Sequence, residues 1–262
     1  MNCFVNLPLR YIESQPNYLK LFLNNRLCPE LGLDAMALEL FSVDWHRRTA
    51  DIFHNSELRC AVHLPFFDLH PGSLDPWARE VCERRLSLAL AVGKIYEPAH
   101  FIAHLDYNPL VYAQHEELWL RNSLETWTSV LEHAEEVPVF LENVHELSPK
   151  YQCMVLGELG GKAKACFDIG HWHSFGRCKE RGSLTEWMDA LAPYLGHLHL
   201  HDNDGSGDQH LGLGLGEIPW NLFGTLLKKM PCHVTATLEP HTEEDFRATR
   251  QFLNNNRGFL PL

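Results

Sequence analysis

Leu195–Trp220 reads LGHLHLHDNDGSGDQHLGLGLGEIPW, and it predicts a buried strand followed by a polar loop that leads into a helix. Imidazoles and carboxylates are concentrated in this stretch, on His197, His199, His201, Asp202, Asp204, Asp208 and His210. Their density, with few basic residues nearby, is typical of a divalent-metal site. Taken alone, the stretch also fits a polar surface loop with chance histidines, so the choice depends on how the other strands end.

The bulk composition limits the classes of partner. The chain has 262 residues, of which 45% are hydrophobic and 21% charged, as in an ordinary globular protein. Its formal net charge is -12, which disfavours nucleic acid as a partner because that binding relies on clustered Lys and Arg. A small polar substrate is compatible with this charge. No apolar run has the length that a membrane span needs, so we expect no membrane partner.

The eight cysteines are scattered and form no CxxC motif; they are Cys3, Cys28, Cys60, Cys82, Cys153, Cys166, Cys178 and Cys232. We interpret them as reduced, buried thiols rather than as a disulfide framework. The N-terminal stretch MNCFVNLPLRYIE has no basic region followed by a long apolar run, so we expect no signal peptide. These features predict a cytoplasmic protein, and a homo-oligomer is compatible with them.

Short apolar runs alternate with longer amphipathic stretches along the whole chain. Strands are predicted at Cys3–Leu7, Ala37–Phe41, Arg59–Leu64, Ala99–His104, Val137–Glu142, Ala163–Asp168, His197–Leu200 and His233–Glu239. Helical spacing covers Asp75–Gly93, Glu117–Ala134, Leu184–Leu191, Pro219–Lys229 and Glu243–Leu253. This alternation favours an α/β fold, a (β/α)8 TIM barrel in a single domain over residues 1–262. A doubly wound open sheet is the competitor, weakened by the lack of a GxGxxG motif after the first strand.

Nearly every predicted strand ends in a side chain suited to metal binding or acid–base chemistry. In chain order these are Glu39, His63, His104, Glu142, Asp168 with His171 just after it, His199 and Glu239. Each one alone is more often a structural or solvated residue. Active sites of (β/α)8 barrels lie at the carboxyl ends of the strands, so these side chains would meet there. Carboxylates gathered in that way repel one another unless a cation lies between them.

Two motifs carry a family resemblance: the DxGH pattern at Asp168–His171, and the block HLHDNDG…DxHLxLGxG, which is followed by GEIPW. With LENVHE and TLEPH, they make the chain resemble the xylose isomerase-like TIM-barrel superfamily. That superfamily includes sugar isomerases and epimerases and the endonuclease IV group. The resemblance runs over most of the chain.

The sugar epimerase branch implies one divalent metal, held by Glu142, Asp168, His199 and Glu239. The two glutamates would also be the catalytic acid–base pair, and His171 would contact the substrate. The endonuclease IV branch implies three zinc ions and additional ligands at His63, His104, His171, Asp208 and His210. Ligand types leave the metal open among Mn²⁺, Zn²⁺, Co²⁺, Fe²⁺ and Mg²⁺. No organic cofactor is implied.

The resulting hypothesis is a metal-dependent isomerase or epimerase of a sugar, sugar phosphate or cyclitol, acting by proton transfer α to a carbonyl. The first alternative is an endonuclease IV-like metal-dependent phosphoesterase or hydrolase on a small substrate. The acidic chain, without basic loops, argues against DNA as that substrate. A non-catalytic barrel that binds a metabolite is the third reading. Arg177 and Lys179 are weak candidates for binding a substrate phosphate.

Several polar residues lie beside the motifs but off the matched positions. His145, His173, His201 and His241 are expected to be outer-shell or solvent residues. Asp202 is expected to be structural, holding the loop after the seventh strand or orienting a ligand histidine.

Overall fold

The computed structural model describes residues 3–175, 182–230 and 234–259. It contains eight strands: β1 Cys3–Pro8, β2 Pro29–Gly32, β3 Ala61–His63, β4 Phe101–His104, β5 Val139–Glu142, β6 Lys164–Asp168, β7 Leu195–Leu200 and β8 Thr235–Leu238. They form a closed barrel in the order of the sequence, from β1 to β8. The predicted α/β class and (β/α)8 barrel are therefore confirmed.

Helices separate the strands. They are α1 Leu9–Ser14, α2 Pro16–Asn25, α3 Ala35–Leu40, α4 Val43–Asn55, α5 Pro76–Gly93, α6 Pro109–Tyr112, α7 Glu116–Ala134, α8 Lys150–Glu158, α9 Ile169–Ser174, α10 Leu184–Leu191, α11 Trp220–Leu227 and α12 Glu243–Asn255. Helix α5 begins after Asp75, whose carboxylate accepts a hydrogen bond from the N–H of Trp77, and Pro76 occupies the first turn. Within the described residues, no helix is long and apolar enough to cross a bilayer.

The prediction for the second strand was wrong. Ala37–Phe41 lies largely in α3, and the strand is Pro29–Gly32. The strand is only four residues long and contains Pro29 and Glu30, two residue types that are depleted in strands. Helix α3 begins where Asp34 caps it by accepting from the N–H of Ala37. Glu39 is therefore an exposed helical residue, paired with Arg85, and does not end a strand.

The chain packs as two compact units, the first of which comprises Met1–Cys3, Leu105–Gln114 and Leu141–Leu262. In this unit β6 pairs with β7 and β7 with β8, all parallel. The aromatic ring of Phe167 lies 5.9 Å from that of Trp187 and 6.5 Å from that of Phe223, so the outer face of the sheet is covered by α10 and α11.

The second unit comprises Phe4–His104 and His115–Phe140. Its strands β1 to β4 pair in parallel, with Asn6 opposite Glu30 in the β1–β2 pair. Long helices α5 and α7 pack on each other, and the buried Trp119 of α7 fills the space beside Gly72 that a side chain there would occupy.

The cysteine prediction is confirmed in part. No disulfide joins the cysteines among the described residues, and Cys60, Cys82 and Cys166 are buried as expected, whereas Cys3, Cys28 and Cys153 are only half-buried. Cys178, Arg177, Lys179 and Cys232 lie outside the described residues, as does His233 of the predicted eighth strand.

Candidate metal centre and active site

Strand register in the first unit brings four predicted ligands together. Asp168 ends β6 opposite His199 of β7, and His199 lies opposite Thr237 of β8. Residues in register on neighbouring parallel strands point to the same face of the sheet. Glu239 lies two positions after Thr237 and therefore points to that face as well. Glu142 ends β5. We call Glu142, Asp168, His199 and Glu239 the carboxylate-rich set.

The carboxylate-rich set is centred on one imidazole nitrogen. His199 Nδ1 lies 3.3 Å from Glu142 Oε1, 3.3 Å from Glu239 Oε1 and 3.8 Å from Asp168 Oδ2. All four residues are buried, the most exposed being Glu239 at 8%. Three carboxylates at such distances in a buried site favour a cation between them.

The donor chemistry of this set fits a divalent metal. Within the described parts of the chain, the Asp168 Oδ2 atom is buried without a hydrogen-bond partner, although Oδ1 caps α9 by accepting from the N–H of His171 at 2.6 Å. An unsatisfied buried carboxylate oxygen is costly, and metal coordination would satisfy it. Three carboxylates and one imidazole suit Mn²⁺, Zn²⁺, Co²⁺, Fe²⁺ or Mg²⁺ alike.

A second group lies in the same unit, and we call it the histidine-rich set. It consists of His171 on α9, His201 just after β7, and Asp208 and His210 on the loop that follows, with one ligand atom of each within 4.8 Å of the others. Asp208 Oδ2 lies 3.0 Å from His210 Nε2 and 3.5 Å from His171 Nε2. Asp208 Oδ1 lies 3.5 Å from His201 Nε2.

Backbone carbonyls orient two of these imidazoles. His171 Nδ1 donates to the carbonyl of Asn143 at 3.0 Å, and His210 Nδ1 donates to the carbonyl of Glu239 at 2.8 Å. Because a carbonyl only accepts, Nδ1 carries the proton in both rings and Nε2 is directed at Asp208. This is the arrangement in which metal-binding histidines are usually held.

Burial and charge act against each other on the acidic and basic groups of the two sets. Burial opposes ionisation of Asp168, but the imidazoles of His171 and His201 outweigh it and hold its pKa below the usual range. Burial raises the pKa of Glu239; His199 and His210 oppose part of this shift, and the smaller effects of Asp168 and Glu142 reinforce it. Burial would lower the pKa of His210, but Asp208 and Glu239 raise it to about 9. The imidazoles therefore offset only part of the negative charge, and the raised pKa of Glu239 reflects the remainder.

The loop that carries Asp208 and His210 is fastened by Asp202, as predicted. Its two carboxylate oxygens accept from the N–H groups of Asn203 (2.9 Å), Gly214 (2.8 Å) and Ile218 (3.2 Å) and from the Trp220 indole (2.7 Å). His210 adopts a left-handed backbone conformation, with φ of 51°. Such a conformation is uncommon for a non-glycine residue and persists where the surroundings fix it.

Two residues of the site were missed from sequence. His201 was expected outside the ligand positions, but it is fully buried within the histidine-rich set. The period-two spacing of His197, His199 and His201 was the available signal, because side chains at i and i+2 of a strand share a face. Asn143 was not considered, although its side chain makes two hydrogen bonds to the backbone of Asp168.

The other two predicted additional ligands lie in the second unit. His63 ends β3 and His104 ends β4, and their rings meet edge to face with centroids 5.0 Å apart. The ring of Phe66 stacks on His104 at 4.2 Å and meets His63 at 5.4 Å. Their role as metal ligands stays a prediction.

The closed parallel barrel with metal-competent side chains at its strand ends defines the class of protein, a TIM barrel. A family model described as a xylose isomerase-like TIM barrel matches residues 26–256. The chain therefore belongs to the xylose isomerase-like TIM barrel family, and the resemblance noted from sequence is confirmed. Among curated proteins, none matches the sequence at a significant level.

Solved structures show the same fold over nearly the whole chain. A D-tagatose 3-epimerase-like protein has a TM-score of 0.80 at 21% identity, covering 97% of this chain and 96% of its own. The TTHB071 protein from Thermus thermophilus, soaked with ZnCl2, has a TM-score of 0.76 at 25% identity, with 98% of each chain covered. D-Psicose 3-epimerase from Clostridium cellulolyticum H10, solved with D-tagatose, has a TM-score of 0.77 at 17% identity, with both chains fully covered.

Proposed function

We propose that the protein is a divalent-metal-dependent isomerase or epimerase of a sugar or a related polyol ketone. The observation that carries the proposal is the pair of buried glutamates, Glu142 and Glu239, each with an Oε1 atom 3.3 Å from the same nitrogen of His199. Two carboxylates on either side of one site can serve as base and acid in a proton transfer. Two of the similar structures are named for 3-epimerase chemistry on ketoses, which supports this class of reaction.

The carboxylate-rich set would hold the metal through Glu142, Asp168, His199 and Glu239. When bound, a divalent cation supplies Lewis-acid polarisation of the substrate carbonyl and hydroxyl oxygens. One glutamate removes the proton on the carbon α to the carbonyl, and the other returns a proton from the opposite side or at the neighbouring carbon. His171 Nδ1 lies 3.1 Å from Glu142 Oε1, so this imidazole would orient the glutamate.

Asp168 and the buried surroundings have supporting roles in this mechanism. The clamp from Asn143 fixes the Asp168 backbone, so its carboxylate keeps its direction during turnover. Burial of all four side chains excludes water, which strengthens electrostatic interactions and prevents loss of the abstracted proton to solvent.

The test begins with metal analysis of protein purified without added metal, followed by a screen of ketoses and inososes for isomerisation. Glu142→Gln and Glu239→Gln should each abolish turnover and leave the fold intact by circular dichroism. Glu158→Gln, at an exposed position on α8, is the surface control and should keep full activity. Full activity in either of the first two variants would show that the acid–base assignment is wrong.

A metal-dependent hydrolase of a small phosphoester is the second candidate, and the histidine-rich set is the observation that favours it. A second metal-competent group within the same unit exceeds what a one-metal isomerase needs. A hydrolase would release phosphate from simple phosphate esters, and its activity would require Asp208 and His210. Isomerisation that survives Asp208→Asn would decide against this candidate.

A further inference from the structure

Helix α5 of the second unit is apolar on two opposite sides. The residues buried on the inner side include Cys82, Leu86, Ala89 and Leu90. The outer side exposes three large apolar side chains to solvent, Trp77 at 80%, Val81 at 61% and Leu88 at 45%. A surface helix ordinarily has a polar outer face, so this second apolar side is a feature that the barrel itself does not require.

The exposed side chains follow the spacing of a helix that packs on another helix. Positions 77, 81, 84 and 88 lie four, three and four residues apart, and this spacing keeps side chains on one side of an α-helix. We call Trp77, Val81, Arg84 and Leu88 the outer stripe. Arg84 is its charged member, and it forms an ion pair with Glu80 one turn earlier in the same helix.

We propose that the outer stripe is the contact surface of a homodimer, in which α5 of one copy lies antiparallel to α5 of a second copy. A two-fold axis across the helix reverses its direction, so the same stripe meets itself. With the axis between positions 82 and 83, Trp77 faces the partner's Leu88, and Val81 faces the aliphatic stem of the partner's Arg84. Every apolar side chain of the stripe is then covered by the partner.

The charges beside the stripe are complementary in this arrangement. Glu80 lies in the first half of the exposed face and Arg84 in the second, with side chains 53% and 78% exposed. In an antiparallel pair Glu80 lies beside the partner's Arg84, and by symmetry Arg84 lies beside the partner's Glu80. A parallel pair would place each charge beside its own kind, which is unfavourable. The stripe is therefore complementary to a second copy of itself, and this favours a homodimer over an unrelated partner.

Helix α3 extends the apolar surface beside α5. The two helices pack on each other, and Glu39 of α3 pairs with Arg85 of α5 at 2.7 Å. The exposed apolar side chains of α3 are Met36 at 53% and Leu40 at 62%. Two helices per protomer provide an interface at the low end of the specific size range, about 1,200 Å² in total, so the dimer should form reversibly.

The first experiment is sedimentation velocity of the full-length protein between about 1 and 100 μM, the range expected for a weak dimer. The wild-type chain should change from monomer to dimer across this range. Leu88→Glu should stay monomeric, because it places a carboxylate in the apolar part of the interface. Leu222→Glu is the matched control at an apolar position of α11 that is 43% exposed, and it should dimerise like the wild type.

A charge exchange tests the antiparallel pairing itself. Glu80→Arg leaves only positive charges at the axis and Arg84→Glu only negative ones, so each variant should be monomeric alone. Mixed in equal amounts, the two variants should form a heterodimer, because every arginine then lies beside a glutamate of the partner. A folding defect in either variant could not be repaired by mixing, so the recovery of a dimer distinguishes the interface from a loss of stability.

Four results would overturn the proposal. The first is a wild-type chain that stays monomeric at the highest concentration, which would leave the outer stripe to a different partner or to solvent. The second is a dimer that Leu88→Glu leaves intact, and the third is a dimer lost equally in Leu222→Glu. The fourth is a charge exchange that fails, either because the variants dimerise alone or because they stay monomeric when mixed.

Discussion

Asn143 holds the backbone of Asp168 at both of its polar atoms. The side-chain Nδ2 donates to the Asp168 carbonyl at 2.9 Å, and Oδ1 accepts from the Asp168 N–H at 2.9 Å. The backbone carbonyl of Asn143 also accepts from His171 Nδ1. One asparagine therefore orients a member of each candidate ligand set, and it follows Glu142 directly in sequence.

Asn143→Ala should weaken metal binding as well as the fold. It leaves a buried N–H and a buried carbonyl without partners, which costs about 1–3 kcal/mol of unfolding free energy. Loss of an orienting partner lowers metal affinity by about 10–100-fold. Urea denaturation and metal titration measure the two effects. In the second unit, Asn122→Ala removes one buried hydrogen bond, to the Ser73 carbonyl, and should leave metal affinity unchanged. Wild-type metal affinity in Asn143→Ala would show that the clamp is dispensable.

Gly170→Ala should be destabilising because of His201 and not because of the backbone. A Cβ at position 170 would overlap the His201 imidazole, so we expect a cost of about 1–3 kcal/mol from overpacking. In a His201→Ala background the same change should cost little, and a double-mutant cycle measures the coupling. Gly157→Ala, where the nearest atom would be the Tyr194 hydroxyl at 3.4 Å, serves as the helical control. Equal costs in both backgrounds would contradict the steric explanation.

Asp202→Asn should loosen the loop that carries Asp208 and His210. The amide cannot accept all four hydrogen bonds that the carboxylate receives, so buried donors lose their partner at a cost of about 3 kcal/mol. Amide hydrogen exchange over residues 203–218 should become faster, and metal binding at the histidine-rich set should weaken. Asp204→Asn, an exposed change on the same loop, should alter neither. Unchanged exchange in Asp202→Asn would mean that the loop is held by other contacts.

Sequence reasoning was most successful where the barrel repeats itself. Seven strands were located because short apolar runs stand between amphipathic helices. The rule that strand ends meet gave a wider group of polar residues, and the family resemblance selected the carboxylate-rich set from it. Pro29–Gly32 escaped because a strand containing Pro29 and Glu30 has no local β signal, and its pairing with neighbours decides its conformation. His201 was assigned to the outer shell because it lies off the positions matched by the resemblance, although its period-two spacing from His199 indicated a shared face. The position of the His201 ring depends on contacts with two residues. Gly170 is distant along the chain, and His210 comes close only when the loop is folded.

Glu146 should give the protein a specific dependence of stability on pH. It is 1% exposed and accepts from the N–H groups of Tyr107 (2.9 Å) and Val144 (2.5 Å). Burial raises the pKa of Glu146 to about 7, and these two hydrogen bonds oppose only part of the shift. Between about pH 4.5 and 7 the folded protein therefore keeps a proton that the unfolded chain has released, and stability falls as the pH rises through that range.

Glu146→Gln is neutral at every pH and should lack this dependence. The loss of one hydrogen-bond acceptor lowers the unfolding free energy of the variant by the same amount at every pH. The quantity to follow is therefore how the difference in unfolding free energy between variant and wild type changes with pH. Between pH 5 and pH 8, the unfolding free energy of the variant relative to wild type should rise by about 2.5 kcal/mol, since each unit of pKa shift corresponds to 1.36 kcal/mol and part of the shift is already expressed at pH 5. Urea denaturation across this range measures it. Glu158→Gln, at an exposed position, should show no such change. If the difference in unfolding free energy between Glu146→Gln and wild type stayed constant with pH, the Glu146 carboxyl would be ionised in the folded protein throughout this range.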